Sequence, residues 1–160
     1  MAKAGIKNVK HVIQGKLDGM LSRARDPAPY IKRKIFPKYQ NVQRARWDSE
    51  NNTSEVDGGL WARLNPSYAA RKLKIYKDEY MGGTKMMVAT GTLYKAVIGE
   101  NTDFFRMIIS NNRLIFALEI DKNHEYFKYT DASRTYTKFS RSFWEDIKHG
   151  LAVYMGKGKE

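Results

Sequence analysis

The sequence contains no cysteine, which excludes disulfide bonds and thiolate metal sites. Long apolar runs are also missing: a run such as Leu114 to Leu118 is far shorter than the ~20 residues that span a bilayer. The N-terminus has no apolar block of the kind found in signal peptides. These absences predict a soluble intracellular protein that makes no membrane contact.

The sequence has no linker long enough to separate two domains, and no internal repeat is visible. With 160 residues the chain is close to the usual size of one domain, so we predict a single domain over residues 1–160. Within it we expect a basic helical part at 1–47, an exposed polar loop at 48–59 and a flexible tail at 156–160.

Positive charge is concentrated in the first third of the chain. The net charge is +12, and residues 1–47 hold twelve Lys or Arg against two Asp, whereas the rest holds seventeen against fifteen acidic residues. Such a surface attracts nucleic acid, anionic lipid or an acidic protein, and charge alone does not choose among them. The basic residues that could face DNA or a partner are Lys7, Lys10, Lys16, Arg23, Lys32, Arg33, Lys34, Lys38, Arg44 and Arg46.

Apolar residues spaced by three or four predict two N-terminal helices. The first covers about 4–24 and ends before the prolines at 27 and 29; its apolar stripe is Ile6, Val9, Ile13, Leu17, Met20 and Leu21. The second covers about 29–47 with a kink at Pro37. Its buried stripe is predicted to be Ile31, Ile35, Tyr39 and Val42, with Lys and Arg on the outer face.

A third helix should begin at Asn65-Pro66, because Asn caps helices and Pro suits the first helical position. We expect it to run to about Tyr80, before Gly82-Gly83, with a short helix or turn at 92–98. The inner face of the third helix is predicted to be Ala69, Leu73, Tyr76 and Tyr80.

The clearest β pattern is a hairpin of strands 104–109 and 113–120, which are rich in β-branched and aromatic residues and are joined by an Asn111-Asn112 turn. Leu114, Phe116, Leu118 and Ile120 alternate along the second strand, so one face should pack and the other should stay partly open. A third strand is expected at 126–129. The last helix should start at a capping box of Ser142 and Glu145, and its apolar stripe is Phe143, Trp144, Ile147, Leu151 and Met155. The fold class is therefore α+β: N-terminal helices, a central helix, a small antiparallel sheet built on the hairpin, and a C-terminal helix.

Groups that could carry out catalysis are scattered. His11, His124 and His149 have no partner at metal-ligand spacing, and no glycine-rich phosphate loop is present. Acidic residues near the hairpin leave a weak nuclease alternative, with Asp103, Glu119 and Asp121 holding a divalent cation beside Lys122. We predict no enzymatic activity, no cofactor and no metal.

Three short motifs occur in order: Trp61-Ala-Arg-Leu64-Asn-Pro66-Ser-Tyr68, then Thr90-Gly91-Thr-Leu93, then Arg141-Ser-Phe143. In this order the chain resembles the virion morphogenesis or tail-completion family of tailed phages over most of its length. Physically, Trp61 and Leu64 can bury beneath the capped helix, and Gly91 permits a tight approach before Leu93.

The resemblance implies a structural virion protein at the head–tail junction or the upper end of the tail, made in the host cytoplasm. It implies a homo-oligomeric ring, with six copies expected, that docks to neighbouring neck or tail proteins while genomic DNA passes. The alternative is a non-specific DNA-binding or packaging-associated protein. Whether the basic first third meets DNA or protein is open at this point.

Overall fold

The computed structural model describes residues 3–50, 56, 59–75, 91–110, 113–118 and 138–158, with backbone alone for 3–13, 110 and 113. The chain divides into two compact units. The terminal unit comprises Met1–Pro37 with Trp144–Glu160, and the central unit comprises Lys38–Phe143. Helices and a two-stranded antiparallel hairpin confirm the α+β class.

The first helix, α1 (Lys3–Arg25), confirms the N-terminal helix that the apolar spacing predicted. It ends where the sequence indicated, and the Asp26 carboxylate then accepts a hydrogen bond of 3.1 Å from the amide of Ala28. A single turn, α2 (Ala28–Tyr30), follows.

A π-helical turn at Ile31–Ile35 connects α2 to α3 (Phe36–Asp48), where the sequence predicted a kink at Pro37. Proline has no amide hydrogen, and its ring crowds the carbonyl four residues earlier, so a regular α-turn is disfavoured there. The wider turn avoids this conflict, and the amide of Phe36 donates to the carbonyl of Ile31 five residues back. The predicted stripe is confirmed: Ile31, Ile35, Tyr39 and Val42 are all buried.

The helix α4 (Pro66–Ile75) begins at the predicted cap. The side-chain oxygen of Asn65 accepts a 3.0 Å hydrogen bond from the amide of Ser67. The predicted inner face is wrong in one position, because Leu73 is exposed and its neighbour Lys72 is buried. One residue corresponds to 100° of rotation on a helix, and the aliphatic stem of a lysine can take an inward position. Residues 76–90, including the predicted end of this helix and Gly82-Gly83, lie outside the described chain.

The short helix α5 (Thr92–Val97) and the hairpin also belong to the central unit. Strands β1 (Phe105–Ser110) and β2 (Arg113–Leu118) are antiparallel, with Ile108 opposite Ile115. Both isoleucines are exposed, whereas Leu114, Phe116 and Leu118 are half-buried, as the predicted alternation requires. The predicted turn at 111–112 and the third strand at 126–129 lie outside the described residues.

The last helix, α6 (Arg141–Lys157), starts at a different cap from the predicted one. The hydroxyl of Ser140 accepts the amide hydrogen of Phe143 at 3.3 Å, so Ser140 is the cap and Ser142 lies inside the first turn. Glu145 instead pairs with Lys148 at 3.1 Å. The predicted stripe is buried or half-buried throughout, and Tyr154 joins it on the inner side.

Two loop predictions need correction. Residues 156–157 belong to α6, because Gly158 adopts a positive φ of 65° and its amide bonds back to the carbonyl of Tyr154 at 2.9 Å. In the loop predicted to be exposed, Val56 is buried and bridges to Phe139. Residues 51–55 and 57–58 are not described.

None of the described helices is long and apolar enough to cross a membrane.

Candidate interaction sites

Two of the three sequence motifs meet in one apolar cluster of the central unit. Trp61, from the first motif, and Leu93, from the second, are buried together with Trp47, Ala96 and Val97. The rings of Trp47 and Trp61 pack edge to face at 5.1 Å between centroids, and Leu64 packs on the cluster from outside. Trp61 is buried and Leu64 is half-buried, whereas their predicted position beneath the capped helix stays a prediction.

Gly91, two residues before Leu93, adopts a conformation that glycine favours. Its φ is +79°, and its carbonyl accepts the amide hydrogen of Lys95 at 2.8 Å, which starts α5. The residue is buried, so the backbone can turn tightly just before Leu93. Thr90 lies outside the described residues.

Other motif residues do not share this burial. Pro66 opens α4 and is exposed, and Tyr68 is exposed with the guanidinium of Arg71 5.7 Å from its ring centre. In the third motif, Phe143 is fully buried and stacks on Phe139 at 4.4 Å, whereas Arg141 is exposed at the start of α6. The first and third motifs thus each contain both buried and exposed residues.

A ladder of buried polar side chains runs along α3. The hydroxyl of Tyr39 donates to the carbonyl oxygen of Val97 at 2.6 Å and accepts from the amide of Gln43 at 3.5 Å. The side-chain oxygen of Gln43 in turn accepts from the guanidinium of Arg46 at 3.2 Å. Burial raises the pKa of Tyr39 to about 12, against the lowering effects of Gln43 and Arg46.

Arg46 is a correction to the predicted basic surface, because it is 0% exposed. Its guanidinium donates to Gln43 and to the carbonyl of Lys138, and it lies 4.9 Å from the ring centre of Phe139. These partners explain how a charged group is kept in the interior. The seven-residue separation from Tyr39 places Arg46 on the buried stripe of α3, a signal that the sequence contained.

The remaining predicted basic residues differ in their surroundings. Lys16, Lys32, Arg33 and Lys34, in the terminal unit, are exposed. Three others are half-buried: Arg23 donates to the carbonyl of Met155 at 3.1 Å, Arg44 pairs with Glu100 at 3.0 Å, and Lys38 lies 5.7 Å from the ring centre of Phe143. Lys7 and Lys10 lie on the backbone-only part of α1.

Chemical groups suited to metal binding do not cluster in the described ranges, where no group of three His, Cys, Asp or Glu could hold an ion. Asp103 and His149 are exposed. The other candidates, Glu119, Asp121, Lys122 and His124, lie outside those ranges, as does the side chain of His11.

Comparison with protein-family models, curated proteins and solved structures finds no match. The resemblance to the tail-completion family therefore stays a prediction.

Proposed function

We propose that the chain is a structural subunit of a tailed phage or prophage that forms a homo-oligomeric ring at the head–tail junction or the upper end of the tail. The supporting observation is the packing of Trp61 against the cluster that contains Leu93. These residues belong to the first two motifs of the family resemblance, which are separated in sequence and share one core. Residues of two motifs that are distant in sequence therefore pack in the same core, which we would expect if the motifs belong to one family fold.

Exposed apolar residues supply surfaces on which copies could associate. In the central unit, Leu60 is exposed, and so are the paired Ile108 and Ile115 on the hairpin. A subunit that buries such residues only after assembly needs no catalytic group to do its work. A role in assembly agrees with this surface.

Native mass spectrometry of the purified full chain, with negative-stain images of the same sample, tests this proposal. We expect one closed ring, with six copies the expected number, at high protein concentration. A monomer at every concentration, or open filaments alone, would contradict it. Mass spectrometry of purified particles should also detect the chain, and its absence from the virion would exclude a neck or tail role.

Non-specific DNA binding is the second candidate, and the exposed Lys32, Arg33 and Lys34 of the π-helical turn favour it. Binding of duplex DNA should then weaken steeply with salt, and Lys32→Gln/Lys34→Gln should reduce the log–log salt slope by about 2. Lys74→Gln, an exposed lysine of α4, is the control. A salt-independent response would rule this candidate out.

A further inference from the structure

The apolar stripe of α1 is uncovered along its last turns. Leu17 is 48% exposed, Met20 41% and Leu21 54%. Gly15, on the same helix, has open space where a Cβ would lie. A helix that places its leucines in solvent leaves part of the usual driving force for its own packing unused.

A polar contact ties α1 to α6 within the terminal unit. Arg23 is half-buried and its Nε donates to the carbonyl of Met155, near the end of α6, at 3.1 Å. Gly19, one turn earlier, is half-buried as well. Residues 19 and 23 lie about 60–160° around the helix from the three exposed apolar residues. The helix is therefore anchored by a polar contact, and its apolar side is left available.

Positive charge surrounds the uncovered stripe. Lys16 and Arg25 are exposed beside it, while the carboxylate of Asp18 accepts the side-chain amide of Gln14 at 3.0 Å. The terminal unit holds twelve Lys or Arg and five Asp or Glu, a net charge of +7. Any surface that covers the stripe must therefore lie close to this positive charge without electrostatic repulsion.

The exposed apolar residues and the positive charge together indicate which kind of partner can cover the stripe. A second copy of α1 would bring the same positive charge into contact, which is unfavourable. The phosphates of a nucleic acid would neutralise the positive charge, but they provide no apolar surface to cover the leucines. The described stripe is short and holds no aromatic residue, which makes it a weak membrane anchor. An acidic protein helix with its own apolar ridge satisfies both the charge and the apolar surface.

We infer that Leu17, Met20 and Leu21, with Lys16 and Arg25 beside them, dock an acidic amphipathic helix of a neighbouring protein. The inference rests on the proposed function in that this neighbour is an adjoining component of the virion. The leucines supply the contact area, and the two cations set orientation and exclude basic surfaces.

The test uses the full chain and a synthetic helical peptide of about 14 residues, with a leucine ridge flanked by glutamates. A second peptide carries lysine in place of each glutamate. Binding is measured by fluorescence anisotropy at about 50 and 200 mM salt. The variant is Leu17→Gln/Leu21→Gln, and the matched control is Leu73→Gln/Ile75→Gln, whose side chains are similarly exposed at 47% and 61%.

We expect the glutamate peptide to bind the wild type, with affinity reduced about tenfold or more in Leu17→Gln/Leu21→Gln and within about twofold of wild type in the control. Equal binding to the variant, equal binding of the lysine peptide, or no binding would overturn the inference. Binding of phosphatidylglycerol vesicles or of duplex DNA that Leu17→Gln/Leu21→Gln weakens as much as it weakens the glutamate peptide would also overturn it.

Ring formation separates this inference from the proposed function. Native mass spectrometry should show the Leu17→Gln/Leu21→Gln variant in the same ring as the wild type, because the stripe is assigned to a different protein. A ring lost in this variant alone would assign the stripe to a second copy and overturn the inference. A wild type that binds the glutamate peptide and forms no ring would instead contradict the proposed function.

Discussion

The hydroxyl of Tyr39 donates a 2.6 Å hydrogen bond to the carbonyl oxygen of Val97, 58 residues along the chain. Val97 is the last residue of α5, where carbonyls have no partner within the helix. The next carbonyl, that of Ile98, accepts from the side chain of Gln40 at 3.0 Å. Two side chains of α3 thus cap α5 and fix the helix that carries Leu93 and the core of the second motif.

We predict that Tyr39→Phe destabilises the protein by about 1–3 kcal/mol at neutral pH, because the buried carbonyl of Val97 loses its donor. The pKa of Tyr39 is about 12 in the folded chain against a usual 10.0, so its contribution is complete below pH 10 and is lost as pH rises toward 12. Urea unfolding should show the wild-type advantage shrinking by about 1 kcal/mol by about pH 11. An advantage that is constant with pH would contradict the assignment.

Arg46→Met should destabilise the fold by about 2–4 kcal/mol. The aliphatic stem is kept, but the oxygens of Gln43 and Lys138 lose charged donors in the interior. Arg44→Met is the matched control, since its ion pair with Glu100 is partly exposed and should be worth under about 1 kcal/mol. Chemical denaturation of both variants measures the contrast; equal losses would mean that Arg46 is not held as described.

Gly91→Ala is expected to cost about 1–2 kcal/mol, because a side chain strains the backbone at a φ of +79°. Gly15→Ala, in an exposed position of α1 with open space around it, should instead stabilise by up to about 1 kcal/mol. Thermal unfolding of the two variants compares the same chemical change in opposite settings. A stabilising Gly91→Ala would argue against the tight turn before α5.

The terminal unit offers a test by double mutation. The rings of Tyr30 and Tyr154 stack at 4.7 Å, and a Cβ added at Gly150 would lie 2.5 Å from the hydroxyl of Tyr30. Gly150→Ala should therefore destabilise by about 1 kcal/mol or more. In a Tyr30→Phe background the clash is removed, and Gly150→Ala should become neutral or stabilising by up to about 1 kcal/mol. Additive effects of the two changes would exclude the contact.

Local patterns predicted the elements well, and long-range partners explain the errors. The spacing of apolar residues found α1 and α6, and alternation found the hairpin, because each signal lies within a few turns or strand residues. Arg46 was assigned to the surface because charge is usually solvated, and its partners at 138 and 139 are remote in sequence. The cap at Ser140 was missed by two residues, since two serines flank the start of α6.

The sequence indicated the buried motif residues of the candidate sites, but it did not indicate that the apolar stripe of α1 is exposed. Burial of Trp61 and Leu93 follows from their apolar character and the nearby cap. The exposure of Leu17, Met20 and Leu21 could not be predicted, because an apolar stripe normally indicates a buried face. The decisive contact is polar, from Arg23 to the carbonyl of Met155 at the other end of the chain.

The π-helical turn at Ile31–Ile35 absorbs one surplus residue. The amide of Phe36 reaches back five residues, to the carbonyl of Ile31, so the backbone keeps this hydrogen bond immediately before Pro37. Ile31 and Ile35, at the two ends of the wider turn, both stay buried. The proline is thus accommodated by a wider turn instead of a break in the helix.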